Sequence, residues 1–344
     1  MTSPFNGISL PRLLCICIPL LLFTGLFIAF VVFVLYNLQI FTPIAPIHGD
    51  IGCDFLLGEG HEKRSLANYV KNRVTDVPDF LLVHHYVVFI RHVSKDYDYT
   101  ETVLTMLYSP LHFYCLTIDK NATEEFKEEI RLLSRCVTNV IVPTKEYDGS
   151  NARELFQSHK DCFDTLERYP WEHAVITQEE LVPTQSLQAI AHRLSQLGPS
   201  VKIGLEVIHM KDDEKQSRLE KKVSSALAKW LHTRRQPIFI TRSFEEPLYD
   251  YILSDGTIEA IEKEADSMPT VANNDTCRTN RRGPRGNCIY GMEMLKEAVK
   301  SPLSFVHADP SFDFGFVQCM HEVVFRRTYK DAIPTHCEHF HFNL

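Results

Sequence analysis

Between Tyr86 and Leu197, short apolar, β-branched runs alternate with segments whose apolar residues recur at helical spacing, and few architectures accommodate that alternation. Tyr86–Arg91 reads as a strand, followed by a helix over Tyr97–Tyr108. Phe113–Ile118 is the next strand, and Thr123–Ser134 carries Phe126, Ile130 and Leu133 on one helical face. Val137–Val142 with Asn151–Arg168 repeats the unit, as does Ala174–Thr177 with a helix from Thr184 to Leu197 opened by a capping threonine. Four such units predict an α/β fold, a parallel sheet covered by helices. In such sheets ligands settle beyond the carboxyl ends of the strands. Those ends carry Arg91 and His92, then Asp119 and Lys120, then Gln178, Glu179 and Glu180. Each alone reads as a solvated loop residue; acid, base and imidazole converging on one edge suit a nucleotide or a sugar.

The second half is less regular. Glu206 to Trp230 is highly charged and is expected to include a solvent-exposed helix. Pro237–Thr241 reads as a strand, Pro247–Leu253 and Thr257–Ala265 as helices, and Pro269 to Arg285 as a loop rich in Asn, Arg and Gly. Cys288–Gly291, Met292–Lys300 and Asp313–Arg326 complete the body. The tail from His336 to His341 alternates potential ligands, but no matched partner motif lies upstream, so a terminal polar strand or frayed end is the preferred reading over a metal site.

No Asp, Glu, Lys or Arg occurs between Arg12 and Asp50, and Leu13–Leu38 is built almost wholly from Leu, Ile, Phe, Val and Cys. About 20 such residues cross the hydrocarbon core of a bilayer. A core helix would show polar positions at helical spacing, and a signal peptide has a shorter apolar region and a small-residue cleavage site. The run is therefore read as an uncleaved anchor over residues 13–38. Arg12 on its N-terminal side favours a cytoplasmic tail of residues 1–12 and a lumenal body, a single-pass type II arrangement. Residues 39–80 read as a stem, opened by Pro43 and Pro46, and residues 81–344 as the lumenal domain.

With 36 basic and 44 acidic residues the net charge is −8, which leaves no domain-wide positive field for a nucleic-acid backbone. Eight cysteines lie beyond the anchor: Cys53, Cys115, Cys136, Cys162, Cys277, Cys288, Cys319 and Cys337. In an oxidising compartment they imply a disulfide framework, with 105 connectivities open by count. N-x-[ST] sequons stand at Asn121 and Asn274.

Several segments carry a resemblance. F-Y-C-L-T-I-D-K (113–120) with C-V-T-N-V (136–140) resembles the Y-C-x-H-x-D and C-F-x-N-V patterns of the core-2/I-branching β-1,6-N-acetylglucosaminyltransferases, and Cys115 and Cys136 keep their separation of 21 residues. R-G-N-C-I-Y-G (285–291), F-V-Q-C-M (316–320) and the stem's C-D-F-L-L-G-E (53–59) also look like that family's motifs, in the same order. The resemblance runs from Cys53 to about Arg326 and is that of a divergent member.

It implies a glycosyltransferase A-like fold, mostly parallel in its sheet, anchored in the Golgi membrane. The implied reaction moves N-acetylglucosamine, or a related sugar, from its UDP conjugate to a glycan acceptor on glycoproteins. The implied chemistry inverts the anomeric carbon and uses a pair of cations, in place of a metal, to neutralise the diphosphate. No cofactor is implied beyond the UDP-sugar itself. Position by position, Ile90 and His92 match the uridine-contacting strand end, Asp119 matches the acid after the Y-C cysteine, and Arg285 matches the first diphosphate cation. The second cation falls at Ala308, where the family has Lys, with His307 beside it. Glu206, Lys215 and Arg218 resemble an acceptor-binding set. The implied disulfides are Cys53–Cys319, Cys115–Cys162 and Cys277–Cys288, with Cys136 and Cys337 left over, free or joined.

The catalytic base departs most from the family. Counting places it near Asn273, in V-A-N-N-D, with Asp275 the nearest carboxylate and a poor fit. Glu264 and Asp266 read as a solvated helix face. Two functions therefore stand: an active, divergent transferase with a relocated base, or a non-catalytic lumenal protein that binds a sugar or nucleotide. A metal-dependent hydrolase using the tail histidines is a remote third.

Overall fold

The computed structural model of this chain describes residues 86–204, 206–209, 216–233, 236–268, 277, 281–283 and 288–329. The tail, anchor and stem of the sequence reading (1–12, 13–38 and 39–80) lie outside them. Among the described residues no helix is long and apolar enough to cross a membrane.

The predicted alternation is present. Strands β1 (Val87–Val93), β2 (Phe113–Ile118), β3 (Val140–Ile141) and β4 (His173–Thr177) are all parallel, in the order β3-β2-β1-β4. Helices α1 (Tyr97–Met106), α2 (Glu124–Cys136) and α3 (Ala152–Leu166) connect them. After β5 (Leu181–Pro183) and α4 (Leu187–Ser195), the sheet is extended by antiparallel pairing. Its added strands are β6 (Ser200–Ile203), β7 (Glu206–His209) and β8 (Ile238–Thr241), completing the order β3-β2-β1-β4-β8-β6-β7. Helix α5 (Gln216–Thr233) lies between β7 and β8; α6 (Arg242–Ile252) and α7 (Thr257–Ser267) follow. A short helix α8 (Leu295–Lys300), strand β9 (Phe305–His307) and helix α9 (Pro310–Tyr329) end the described chain, β9 pairing with β5.

Local chemistry explains these elements. Helix α2 begins where the Thr123 hydroxyl accepts from Phe126 N at 3.3 Å, and Glu124 and Glu125 complement the helix dipole in its first turn. Phe126, Ile130 and Leu133 are buried, and truncating Ile130 to Ala should cost about 2–5 kcal/mol. Helix α9 opens with Asp309 accepting from Ser311 N at 2.9 Å and Pro310 at the first helical position. It kinks at Asp313, whose φ is −155°, and the Asp313 carboxylate caps the second part by accepting from Phe316 N at 3.0 Å.

The sheet separates two cores. Val88, Ile90, Cys115, Ala174, Ile176, Val201, Ile203, Ile208, Ile238 and Ile240 point to one face, against α3, α5, α6 and α7. Val87, Phe89, Tyr114, Leu116, Val175 and Phe239 point to the other, against α1, α2, α4 and α9. A 47-residue disulfide loop, Cys115–Cys162, fastens β2 to α3, and Cys277–Cys288 closes a shorter one, as the resemblance implied. Cys136 and Cys319 are disulfide-bonded too, which removes the free-thiol alternative for Cys136. Cys53 and Cys337 lie outside the described residues.

Three expectations are corrected. Val137–Val142 pairs only over β3, because Val137 closes α2 through its N–H to Leu133 O at 3.0 Å. Helix α5 is not simply solvent-exposed: Val223, Ala226, Leu227, Trp230 and Leu231 are buried against the sheet. Glu206, expected at the head of that charged segment, instead starts a strand.

Candidate donor-nucleotide site at the strand ends

Alternation along the strands sends His92 of β1 and the Thr117 and Asp119 side chains of the β2 end to the face that holds Ile90. There His92 Nδ1 lies 3.0 Å from Thr117 Oγ1 and its Nε2 lies 3.1 Å from Asp119 Oδ2. All three residues are buried. The Ser158 hydroxyl, which donates to Leu155 O at 2.7 Å, is 3.3 Å from Thr117 Oγ1 and anchors the row on α3.

Asp119 organises the loops around it. Its Oδ1 accepts from Asn121 N at 2.7 Å and its Oδ2 from Gly149 N at 2.9 Å. Burial pushes the Asp119 carboxyl up, but the Asn121 and Gly149 N–H groups and the His92 contact outweigh it and hold the carboxyl below its ordinary value. An ionised Asp119 is an acceptor only, so His92 Nε2 carries the proton of that contact, while the Thr117 hydroxyl donates onward to Ser158 Oγ at 3.3 Å. A carboxylate offers about four acceptor positions, and three are used, so Asp119 retains roughly one for a further hydrogen-bond donor.

Gly149 is the residue that sequence reasoning missed. A Cβ there would lie 2.5 Å from His92 Nε2, 2.6 Å from His92 Cδ2 and 3.0 Å from Asp119 Oδ2. The D-G-S turn at 148–150 was the available signal, as glycine in a turn often marks close backbone approach. Thr117, also missed, stands where the resembling pattern has His.

The remaining strand-end residues divide by role. The Arg91 guanidinium donates to Glu179 O and lies 5.6 Å from the Tyr99 ring centroid, on the opposite sheet face. The Glu179 carboxylate accepts from Ser94 N at 2.9 Å and Lys95 N at 3.0 Å, fixing the loop after β1. Lys120 is paired with Asp148 at 3.3 Å and Glu154 at 3.2 Å. Gln178 is buried, and its Nε2 has no hydrogen-bond partner among the described residues, leaving a donor beside the strand ends. Ile90 is fully enclosed in the core, so its side chain is not exposed for the uridine contact that the resemblance implied.

Glu206 shares the sheet edge with these residues. It pairs with Ile203, Ile203 with Ile238, Ile238 with Ile176, and Ile176 with Ile90. That row places Glu206 four strand steps from β1, roughly 19 Å at ~4.8 Å per step. Glu206 is bound by Lys229 Nζ at 2.5 Å, and Arg218 is exposed on α5, with no ion pair between Glu206 and Arg218 among the described residues. Lys215, Asn274, Asp275 and Arg285 lie outside those residues. Asn121 is exposed in the turn after β2.

Ala308 is buried. Its N–H donates to Glu180 O at 2.8 Å, and its carbonyl accepts from Tyr99 Oη at 3.4 Å. His307, in β9, pairs with Leu181.

Comparison with known proteins bears on the same segment. Residues 87–245, from β1 into α6, match the family model described as Core-2/I-Branching enzyme. An N-acetyllactosaminide beta-1,6-N-acetylglucosaminyl-transferase of Mus musculus is 27% identical over 150 residues, which are 40% of this chain and 35% of that protein. The Homo sapiens protein of the same name is 25% identical over 108 residues, 30% of this chain and 26% of its own. The matches thus span about a third or less of the length of these curated relatives.

Proposed function

From its membership, as a divergent member, of the Core-2/I-branching enzyme family, we propose that this protein is a glycosyltransferase that moves N-acetylglucosamine, or a related sugar, from a UDP conjugate to a glycan acceptor. The observation that carries the reading is the His92–Asp119 pair, closed over by Gly149, at the carboxyl ends of parallel strands within the matched segment.

In this reading the spare acceptor position on Asp119 takes a uridine hydroxyl or N–H, and His92 holds Asp119 in place. Arg285 meets the diphosphate, whose oxygens a guanidinium engages in pairs while staying charged at physiological pH. Neutralising the leaving group with side-chain cations makes the reaction metal-independent, and attack by the acceptor hydroxyl inverts the anomeric carbon. Glu206, Lys215 and Arg218 form the acceptor side, and Asp275 is the nearest carboxylate to the family's base. The chain is held in the Golgi membrane by residues 13–38, with residues 1–12 cytoplasmic.

One observation favours the second function, a non-catalytic protein that binds a nucleotide or sugar. Ala308, at the position of the second diphosphate cation, is buried with both backbone polar groups engaged, so no charge occupies that place. Losing one charge-assisted contact there would weaken diphosphate binding by about ten- to a hundredfold. Calorimetry with UDP in EDTA tests the donor site. Binding that weakens in Arg285→Ala supports it; an absolute requirement for manganese contradicts the metal-independent mechanism.

A further inference from the structure

Away from the His92 edge, on the other face of the sheet, a half-open cleft of about 400 Å³ lies between α4 and strands β6, β7 and β8. That volume falls within the ~300–1,000 Å³ range of small-molecule sites. Its polar lining includes Arg193, Lys202 and His209, and among the described residues no carboxylate lines it. Its apolar wall includes Leu194, Val207 and Phe239. Val207 is 45% exposed, one of two large hydrophobic side chains left so exposed among the described residues.

The cations are the unusual part. Lys202 is half-buried on β6, with its Nζ 5.7 Å from the Phe239 ring centroid. Among the described residues it has no acidic partner. Arg193 uses one nitrogen, Nη1, to donate to Pro302 O at 2.7 Å and Ser304 Oγ at 3.0 Å; among the described residues no carboxylate pairs with it. Burial, and then the charge of Arg193, hold Lys202 below its ordinary pKa. Exposed Arg193 and half-buried Lys202 present two like charges to one space, a repulsion that an anion between them would relieve.

We infer that this cleft binds a saccharide bearing a sulfate or carboxylate group, the anion lying between Arg193 and Lys202 and the sugar ring against Val207 and Phe239. The anionic part of the inference stands on the cleft alone; the choice of a saccharide rests on the glycan-acceptor reading above. Since Val207 and Lys202 point away from the face that holds His92, the site is separate from the nucleotide site.

The test is calorimetry on the full chain in detergent with three probes: a 6-O-sulfated N-acetyllactosamine disaccharide, its unsulfated counterpart, and inorganic sulfate. The sulfated disaccharide should bind about ten- to a hundredfold more tightly than the neutral one, the range of a charge-assisted contact. Lys202→Gln should abolish the preference without lowering the thermal midpoint, and Lys202→Arg should retain it. UDP affinity should be unchanged in both variants. Equal affinity for the two disaccharides, or a preference that survives Lys202→Gln, overturns the proposal. Inorganic sulfate binding as tightly as the sulfated sugar overturns its saccharide part. A sulfate-dependent preference in a chain that does not bind UDP would sustain this site while refuting the transferase reading.

Discussion

His92 Nε2 and Asp119 Oδ2, on neighbouring parallel strands, stand 3.1 Å apart in a buried contact that ties two loops to one carboxylate. The Asn121 and Gly149 N–H groups converge on the same carboxylate, so the pair fixes the geometry of the strand ends before any ligand arrives.

Gly149→Ala should therefore disturb the site more than the fold. The new methyl would press on the His92 ring and Asp119, which must shift. UDP affinity should fall by about tenfold or more, against a stability loss of about 1–3 kcal/mol. Calorimetry and thermal unfolding of the same preparation separate the two effects; unaltered UDP affinity would place the nucleotide elsewhere.

His112 should make stability depend on pH. Its Nδ1 accepts from Val87 N at 3.3 Å, which needs an unprotonated nitrogen, and burial pushes its pKa from 6.5 down to about 4. Between those values the unfolded chain binds the proton and the folded chain does not. Stability from this group is complete above pH ~6.5 and is lost as pH falls towards ~4, in total about 3 kcal/mol. Denaturant unfolding at several pH values, with His112→Gln as the reference, measures it. The variant should show a flatter acid limb; an identical slope would remove His112 as the cause.

Breaking the Cys115–Cys162 bond should be costly. Its 47-residue loop corresponds to about 4 kcal/mol in the chain-entropy model. The Cys115→Ser/Cys162→Ser double variant should unfold at a correspondingly lower denaturant concentration, and an unchanged midpoint would contradict this. Non-reducing peptide mapping should also pair Cys53 with Cys319 and Cys136 with Cys337, since both described cysteines are bonded. A Cys53–Cys136 peptide would refute that assignment.

Much of this was legible in the sequence, for identifiable reasons. The four β-α units were readable because buried parallel strands are nearly continuous apolar runs and their helices carry a one-sided stripe. The β6–β7 hairpin was not, because Lys202, Glu206 and His209 interrupt its short strands; Gly204, with φ 61°, stands in the left-handed region at its turn. Helix α5 looked exposed because charges at its N-terminal end masked the stripe from Val223 to Leu231. Pro247 read as a helix start but lies inside α6, which begins at Arg242. In the site, His92 and Asp119 were named because strand ends are where ligands sit. Gly149 was missed because it reaches the pair from a loop 30 residues further along.

The central claim is transfer itself. The direct measurement is incorporation of labelled N-acetylglucosamine from its UDP conjugate into an N-acetyllactosamine acceptor by the full chain in detergent, with EDTA present. The account predicts transfer that is lost in Asp119→Ala, because the uridine end of the donor is then no longer held. Tight UDP binding with no transfer to this or any other glycan acceptor would contradict it and leave a nucleotide-binding protein without catalysis.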